Sequence, residues 1–278
     1  MAVAADGERF ASTGEDGRVR LWTTAARSRG TLEGHEGAVR CAAYSPTESL
    51  LASGGDDGQI KLWDPDSQVE RASLVGHSDG VTCLAFAPDG QTLVSGSRDK
   101  TARGWSVGSR EMRFVLKGHK AKIWAIAFAP EGKLIATGSE DTTVRLWNAA
   151  TGHQVAVLTG HKSRVSTIGF SSDGQLLASA GRGGDVRLWD VMKKKEVAAL
   201  KGSSGRIGGI SISADGNALV AGAEDRRLHF WDLATREAWA SLRGHGGPIT
   251  SAVFACAGNM VITASEDGKI MLWDVPKR

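Results

Sequence analysis

The sequence predicts an all-β protein made of seven repeated units, each an antiparallel sheet of four short strands. Three observations carry this reading. Tryptophans at Trp63, Trp105, Trp147, Trp189, Trp231 and Trp273 stand 42 residues apart and Trp22 falls one residue off the same beat, so the chain repeats itself seven times. Gly-His pairs keep that period at Gly34-His35, Gly76-His77, Gly118-His119, Gly160-His161 and Gly244-His245, and Gly202-Ser203 stands in the remaining place. Glycines number 36 in 278 residues, about twice the usual share of ~7%, while prolines number only 6. Many short strands joined by glycine turns fit that composition. Only Trp124 and Trp239 fall outside the register.

One unit shows the plan. Residues 38–45, 50–54, 59–63 and 69–74 are short runs rich in β-branched, aromatic and small apolar residues, separated by turn formers. Pro88-Asp89-Gly90 presets one φ and then supplies a residue free to take a positive one, and Asp57-Gly58 suits a two-residue hairpin. Each unit is therefore expected to be an antiparallel meander. Runs such as Val81 to Phe86 are apolar on both faces, which a sheet covered on one side could not bury. Sheets stacked face to face can.

Composition narrows the function classes. Apolar residues make up 41% and charged residues 23%, which fits a globular chain and not a disordered one. The net charge of +3 is too balanced for a protein that lives on a phosphate backbone, so no nucleic-acid partner is expected. No window of 18 apolar residues and no basic flank followed by an apolar run occurs, so no membrane partner is expected and the default compartment is the cytoplasm. Cys41, Cys83 and Cys256 share no metal-ligand spacing; they read as reduced thiols, with Cys41 and Cys83 at equivalent core positions of adjacent units, and no metal site or cofactor is expected. Phosphate-loop, kinase, nucleophile-elbow and HExxH strings are absent from the sequence.

The Gly-His pair, a Ser or Thr and an Asp about 20 residues later, and a closing Trp-Asp, all at a 42-residue period, resemble the WD-repeat family over the whole length of the chain. The resemblance implies a single seven-bladed β-propeller over residues 1–278, its units ending near Trp22, Trp63, Trp105, Trp147, Trp189, Trp231 and Trp273. It also implies a structural role for four quartets that a search for nucleophiles would otherwise pick out: His35, Ser53, Asp57, Trp63; His77, Ser95, Asp99, Trp105; His119, Thr137, Asp141, Trp147; and His245, Thr263, Asp267, Trp273. In the family the turn Asp accepts from the His, the His meets the Ser or Thr, and the Ser or Thr meets the indole. Four copies of one constellation argue against a catalytic site. Blade five departs with Gly183 in place of the Asp and Asp185 displaced, so its turn is expected to be looser. Blade six, with Ser203 and Ala221, is expected to lack the network, and His153 and His229 read as solitary residues outside the motif.

The family also places partner-binding residues around the upper mouth of the channel. Mapped onto this sequence they include Trp124, the one aromatic residue among the positions following the first residue of strand a, together with Arg98, Lys122, Arg164, Arg182 and Arg206 in consecutive blades three to six, and Arg40 and Glu140. An aromatic anchor among cations has the composition of an interface. The expected function is a non-catalytic protein–protein interaction scaffold in a larger assembly; the alternative is a peptide-reading module that binds acidic or phosphorylated segments. The residue three places after each Trp is Ala25, Asp66, Gly108, Ala150, Met192, Ala234 or Pro276, so the Trp-Asp-x-Arg string of ubiquitin-ligase receptors is missing. Regular spacing resembles assembly-type propellers, cytoskeletal or ciliary ones among them, and a nuclear location is equally compatible. The Lys193-Lys194-Lys195 run is expected on the opposite face. Seven full units would need 294 residues where the chain has 278, so strand a of blade one is expected to be partial, the outer strand of blade seven absent, and a flanking or partner strand to complete that blade.

Overall fold

A computed structural model describes residues 1–201, 203–255 and 258–277, so Gly202 and Cys256 lie outside the described residues. The chain divides into two compact units, one of Met1–Phe128, Gly132–Thr137 and Trp147–Gln154, the other of Ala129–Glu131, Gly138–Leu146 and Val155–Arg278. The first contains three complete blades: β1 (Ala2–Val3), β2 (Arg9–Thr13), β3 (Val19–Thr23) and β4 (Ser28–Leu32); β5 (Val39–Tyr44), β6 (Leu51–Gly55), β7 (Ile60–Asp64) and β8 (Val69–Leu74); β9 (Val81–Phe86), β10 (Thr92–Ser97), β11 (Ala102–Ser106) and β12 (Met112–Leu116). A fourth sheet has the order β13 (Ile123–Phe128), β14 (Leu134–Ser139), β15 (Val144–Asn148), β16 (Gln154–Leu158). The second unit holds β17 (Val165–Phe170), β18 (Leu176–Gly181), β19 (Val186–Asp190) and β20 (Lys195–Leu200), then β21 (Ile207–Ile212), β22 (Ala218–Ala223), β23 (Arg227–Asp232) and β24 (Ala238–Arg243), and the three-stranded β25 (Ile249–Ala255), β26 (Met260–Ser265) and β27 (Ile270–Asp274). The fold is an all-β, seven-bladed propeller whose first blade opens on a two-residue strand and whose last blade has three strands.

Within each unit the core is laminated between consecutive blades, which is why the second strands are apolar on both faces. Leu62 and Leu74 of blade two pack with Phe86, Leu93 and Trp105 of blade three, and Leu188 and Leu200 of blade five pack with Ile207, Leu219 and Trp231 of blade six. Trp63, Trp105, Trp147, Trp231 and Trp273 thus each pack with residues of the blade before their own. Burying one such Leu or Ile is worth roughly 1.5–3 kcal/mol, and every residue of β10 and β22 is buried. Cys41 and Cys83 are free thiols in this core, and burial pushes the Cys83 thiol up to about 12.

The turn after each second strand differs from the two-residue hairpin expected at Asp57-Gly58. Strand β6 ends at Gly55, Gly58 N–H donates to Gly55 O at 3.2 Å, and only Gly58 takes a positive φ, +74°. A two-residue type I′ turn would need two such residues; here Asp57 instead accepts the Gln59 N–H at 3.0 Å and props a wider loop. Equivalent loops put Lys100, Thr142 and Arg226 at φ of 71°, 68° and 67°. The fold imposes this left-handed residue whatever the side chain.

Candidate interaction surface

The repeated polar quartets form closed chains of hydrogen bonds. In blade three His77 Nδ1 donates to Asp99 Oδ2 at 2.8 Å, which leaves Nε2 to accept from Ser95 Oγ at 2.7 Å, and Ser95 Oγ in turn accepts the Trp105 indole N–H at 2.8 Å. His35, Asp57, Ser53 and Trp63 repeat this in blade two at 2.8, 2.7 and 2.8 Å. His245, Asp267, Thr263 and Trp273 repeat it in blade seven at 3.0, 2.7 and 2.7 Å. In blade four Thr137 Oγ1 lies 2.7 Å from His119 Nε2 and accepts from Trp147 at 2.8 Å, while Asp141 accepts from Thr143. Burial opposes ionisation of Asp99, but hydrogen bonds from His77 and Thr101 hold its carboxyl below the ordinary range. The His35, His77 and His245 side chains are at most 1% exposed and their Asp partners at most 12%, so these sets are largely withdrawn from solvent.

Blades five and six solve the same problem differently. His161 lies 2.7 Å from Ser179, and Ser179 accepts from Trp189 at 2.7 Å. Among the described residues no carboxylate is hydrogen-bonded to its other nitrogen; burial first and then Arg187 push His161 down to about 4, against Asp185. In blade six the network is not lost, as the sequence suggested, but rebuilt. His229 is a buried residue of β23 and not a solitary one: its Nε2 lies 2.8 Å from Asp225 Oδ2. Trp231, lacking a hydroxyl at Ala221, donates to Lys201 O at 3.0 Å, and Ser203 Oγ donates to Gly184 O at 2.7 Å in the turn of blade five. His229 occupies the strand position held by Lys61, Arg103, Arg145 and Arg187 in other blades. That substitution was the available signal.

The charged residues assigned to the channel mouth fall into sets. In the first unit Arg40 donates to Asp56 Oδ1 through Nε at 3.0 Å and to Oδ2 through Nη2 at 2.6 Å and reaches Glu15 at 3.3 Å, while Arg98 shares Asp56 Oδ1 at 2.7 Å. Asp56, which stands before the turn Asp57 of blade two, therefore clamps two of the predicted cations. Lys122 is exposed at the entry to β13, and Trp124, its second residue, is half-buried. In the second unit Arg164, Arg182 and Arg206 stand close enough that burial first, then Arg182 and Arg206, lower the Arg164 guanidinium from its usual value, with Glu140 opposing. Arg164 Nε donates to Ser166 at 3.2 Å, and Arg206 pairs with Glu266 at 2.6 Å. Arg182 is exposed and makes no ion pair among the described residues. Of the lysine run, Lys193 pairs with Asp190 at 3.0 Å. A cavity of about 210 Å³, lined by Ser213, Asp215, Trp239, Phe254 and Val275 among others, lies in the same unit.

Among the described residues no group of three or more His, Cys, Asp or Glu is placed to hold a metal ion, and no helix is long and apolar enough to cross a membrane. Comparison with known families accounts for the geometry. The family model described as the IFT122 first β-propeller matches residues 104–278, and the WD domain, G-beta repeat, matches residues 1–23, 26–64 and 68–106. No curated protein matches the chain at a significant level. A match over more than half of the chain, on a seven-bladed fold with the His–Ser/Thr–Trp chains in place, settles the family: this chain is a WD-repeat β-propeller and belongs with the first propellers of the IFT122 type.

Proposed function

We propose that residues 1–278 act as one non-catalytic interaction scaffold, a subunit of a larger assembly, and that it docks acidic segments of other proteins on the Arg164, Arg182 and Arg206 cluster. One observation carries the reading. The position before the turn acid is Glu15, Asp56, Glu140, Glu224 or Glu266 in five blades and Arg98 in one, and Arg182 holds the matching place before Gly183 in blade five; Arg98 is neutralised by Asp56, whereas Arg182 stands exposed beside two further guanidinium groups. Cations crowded against one another gain from an incoming carboxylate, and a phosphorylated residue, with close to two charges and three acceptor oxygens, gains more. Trp124 and Lys122 belong to the first unit, where a half-buried tryptophan beside an exposed lysine has the composition of an interface anchor of its own. The inward-turned Ser, His and Asp side chains serve as structural ties. The cytoplasm, and an assembly of cytoskeletal or ciliary kind, fit the match to the IFT122 first propeller.

The test is fluorescence anisotropy with a labelled glutamate-rich peptide and its phosphoserine counterpart. Arg182→Glu is expected to weaken both by roughly tenfold or more and to flatten their salt dependence, since charges at a site edge act through long-range attraction. Lys194→Ala, on the far turn, should change neither. Loss of binding in Lys194→Ala with Arg182→Glu unaffected would move the site to the other face.

A further inference from the structure

Six blades carry an acid in the turn after the second strand, Asp16, Asp57, Asp99, Asp141, Asp225 and Asp267, and blade five carries Gly183 in its place. In blades two, three and seven three N–H donors converge on that carboxylate. One oxygen takes the imidazole Nδ1–H, at 2.8, 2.8 and 3.0 Å, and the N–H of the residue after the histidine, at 3.1, 3.2 and 2.8 Å. The other takes the N–H of the residue two places beyond the acid, at 3.0, 2.9 and 2.9 Å.

Blade five keeps this frame of donors. Ser179 Oγ accepts the Trp189 indole N–H at 2.7 Å and lies 2.7 Å from His161 Nε2, so the serine proton goes to Nε2 and Nδ1 carries the imidazole N–H. The His161 ring stands 6.1 Å from that of Trp189 at 51°, close to the 6.5 Å and 53° of His35 and the 6.0 Å and 54° of His245 with theirs. Its Nδ1 therefore faces the turn. Lys162 and Asp185 hold the positions of the two main-chain donors, and among the described residues none of the three N–H groups has an acceptor. The Asp185 side chain lies 3.6 Å from Arg187 instead. Gly183 is exposed and has an ordinary φ, and a Cβ built on it would meet only the Ser163 hydroxyl, at 3.2 Å. Arg182 precedes it in the chain and donates its main-chain N–H to Arg164 O at 3.1 Å.

We propose that the blade-five turn is a carboxylate-binding site, in which one Asp or Glu side chain of a partner protein takes the place that Asp57, Asp99 and Asp267 hold in their own blades. The carboxylate belongs to the acidic segment that docks on Arg164, Arg182 and Arg206, and its source rests on that reading. Three directed donors gain an acceptor they otherwise lack, and charge-assisted hydrogen bonds of this kind are the strong ones. The other charged groups acting on the imidazole are Arg187, which opposes its protonation, and Asp185, which favours it. A bound carboxylate adds to the second effect.

The probe for the site itself is sodium acetate, an aspartate side chain without its Cα, added at constant ionic strength to the 278-residue protein labelled at its histidine nitrogens for NMR. Acetate is expected to move the His161 ring signals saturably and to raise the His161 pKa by about one unit, a tenfold preference for the charged ring. His77 and His245, whose carboxylates are in place, should not move. Gly183→Asp should raise the His161 pKa without acetate and abolish the response. An equal response in Gly183→Asp, or none in wild type at several hundred millimolar acetate, overturns the site; the wild-type titration needs no variant to fold. The second probe is the labelled glutamate-rich peptide, which should move the same His161 signals and bind Gly183→Asp roughly tenfold more weakly. Saturating peptide that leaves His161 unmoved, while acetate moves it, overturns the assignment to a partner side chain in favour of free carboxylates. Peptide binding weakened by Gly183→Asp but untouched by Arg182→Glu upholds the pocket and removes the arginine cluster; the reverse pattern keeps the cluster and overturns the pocket.

Discussion

Blades three and six close the same turn with opposite resources. In blade three a histidine placed before the first strand reaches across to Asp99 and Ser95, and the serine takes the indole proton of Trp105. In blade six the histidine comes from the third strand, four residues after Asp225, and the indole of Trp231 is passed to the main chain at Lys201. The requirement common to both is a partner for the turn carboxylate and an acceptor for the buried indole. Which residues meet it is secondary. The difference lies in connectivity: blade three ties the approach to its first strand, its second strand and its third strand through one imidazole, whereas in blade six, among the described residues, Ser203 and Ser204 on the approach are held by a hydrogen bond to Gly184 O and two contacts of 3.4 Å to Asp225.

The largest effect that can break this comparison is His77→Ala. It strips a buried hydroxyl and a buried carboxylate of one partner each at once, and it should cost about 3 kcal/mol in a urea melt. His229→Ala should cost about 1 kcal/mol, because Asp225 keeps the Arg227 N–H at 3.0 Å and its side chain, 16% exposed against 6% for Asp99, is less completely cut off from water. Equal losses would mean that the two networks hold the same elements and that connectivity is irrelevant.

A second, smaller effect sharpens the comparison through blade five, where histidine and serine are present but the acid is not. His161 is held near 4, below the value of about 6.5 of an exposed histidine. The unfolded chain therefore binds the extra proton between these values, so this contribution to stability is complete above about pH 6.5 and is lost as pH falls towards 4, by on the order of 2 kcal/mol. Gly183→Asp places a carboxylate where blade three has Asp99, with only the Ser163 hydroxyl close to the new Cβ, at 3.2 Å. It should raise the His161 pKa and flatten the stability profile between pH 6.5 and 4. An unchanged slope in melts at pH 7, 6, 5 and 4.5 would show that the acid is not what separates the two blades.

The sequence made the architecture legible because the propeller is written as a period. Trp63, Trp105 and their successors mark the third strands, and the four runs between 34 and 75 fall within a residue or two of β5 to β8. The three-stranded last blade follows from counting strands after Gly244. What was not legible depends on side chains meeting across turns. His229 carries no motif spacing, and its partner is visible only when β23 is seen to point it at Asp225. The mouth residues are similar: Arg40 and Arg98 belong to different blades and share Asp56, a pairing that no linear pattern encodes, while Arg164, Arg182 and Arg206 could be read as one basic run because three neighbouring positions carry the same sign. Turn geometry was hidden for another reason. A left-handed residue is announced by glycine at Gly58 and Gly184 but not by Lys100, Thr142 or Arg226.

That last point yields the smallest and most evenly matched prediction. Lys100 in blade three and Arg226 in blade six occupy the same left-handed position, at φ of 71° and 67°, and both side chains are exposed. A side chain costs about 1–2 kcal/mol in this conformation. Glycine removes that cost but gives part of it back through a freer unfolded chain. The net gain should be about 0.5–1 kcal/mol for Lys100→Gly and for Arg226→Gly alike, read as a higher urea midpoint at unchanged slope. Gly58→Ala should lose a similar amount, and the three together test whether the loop is dictated by the stacked sheets and not by the polar network beneath it. If Lys100→Gly stabilises while Arg226→Gly destabilises, the blade-six loop depends on restricting its backbone, and the two blades differ in how their turns are held as well as in which histidine they use.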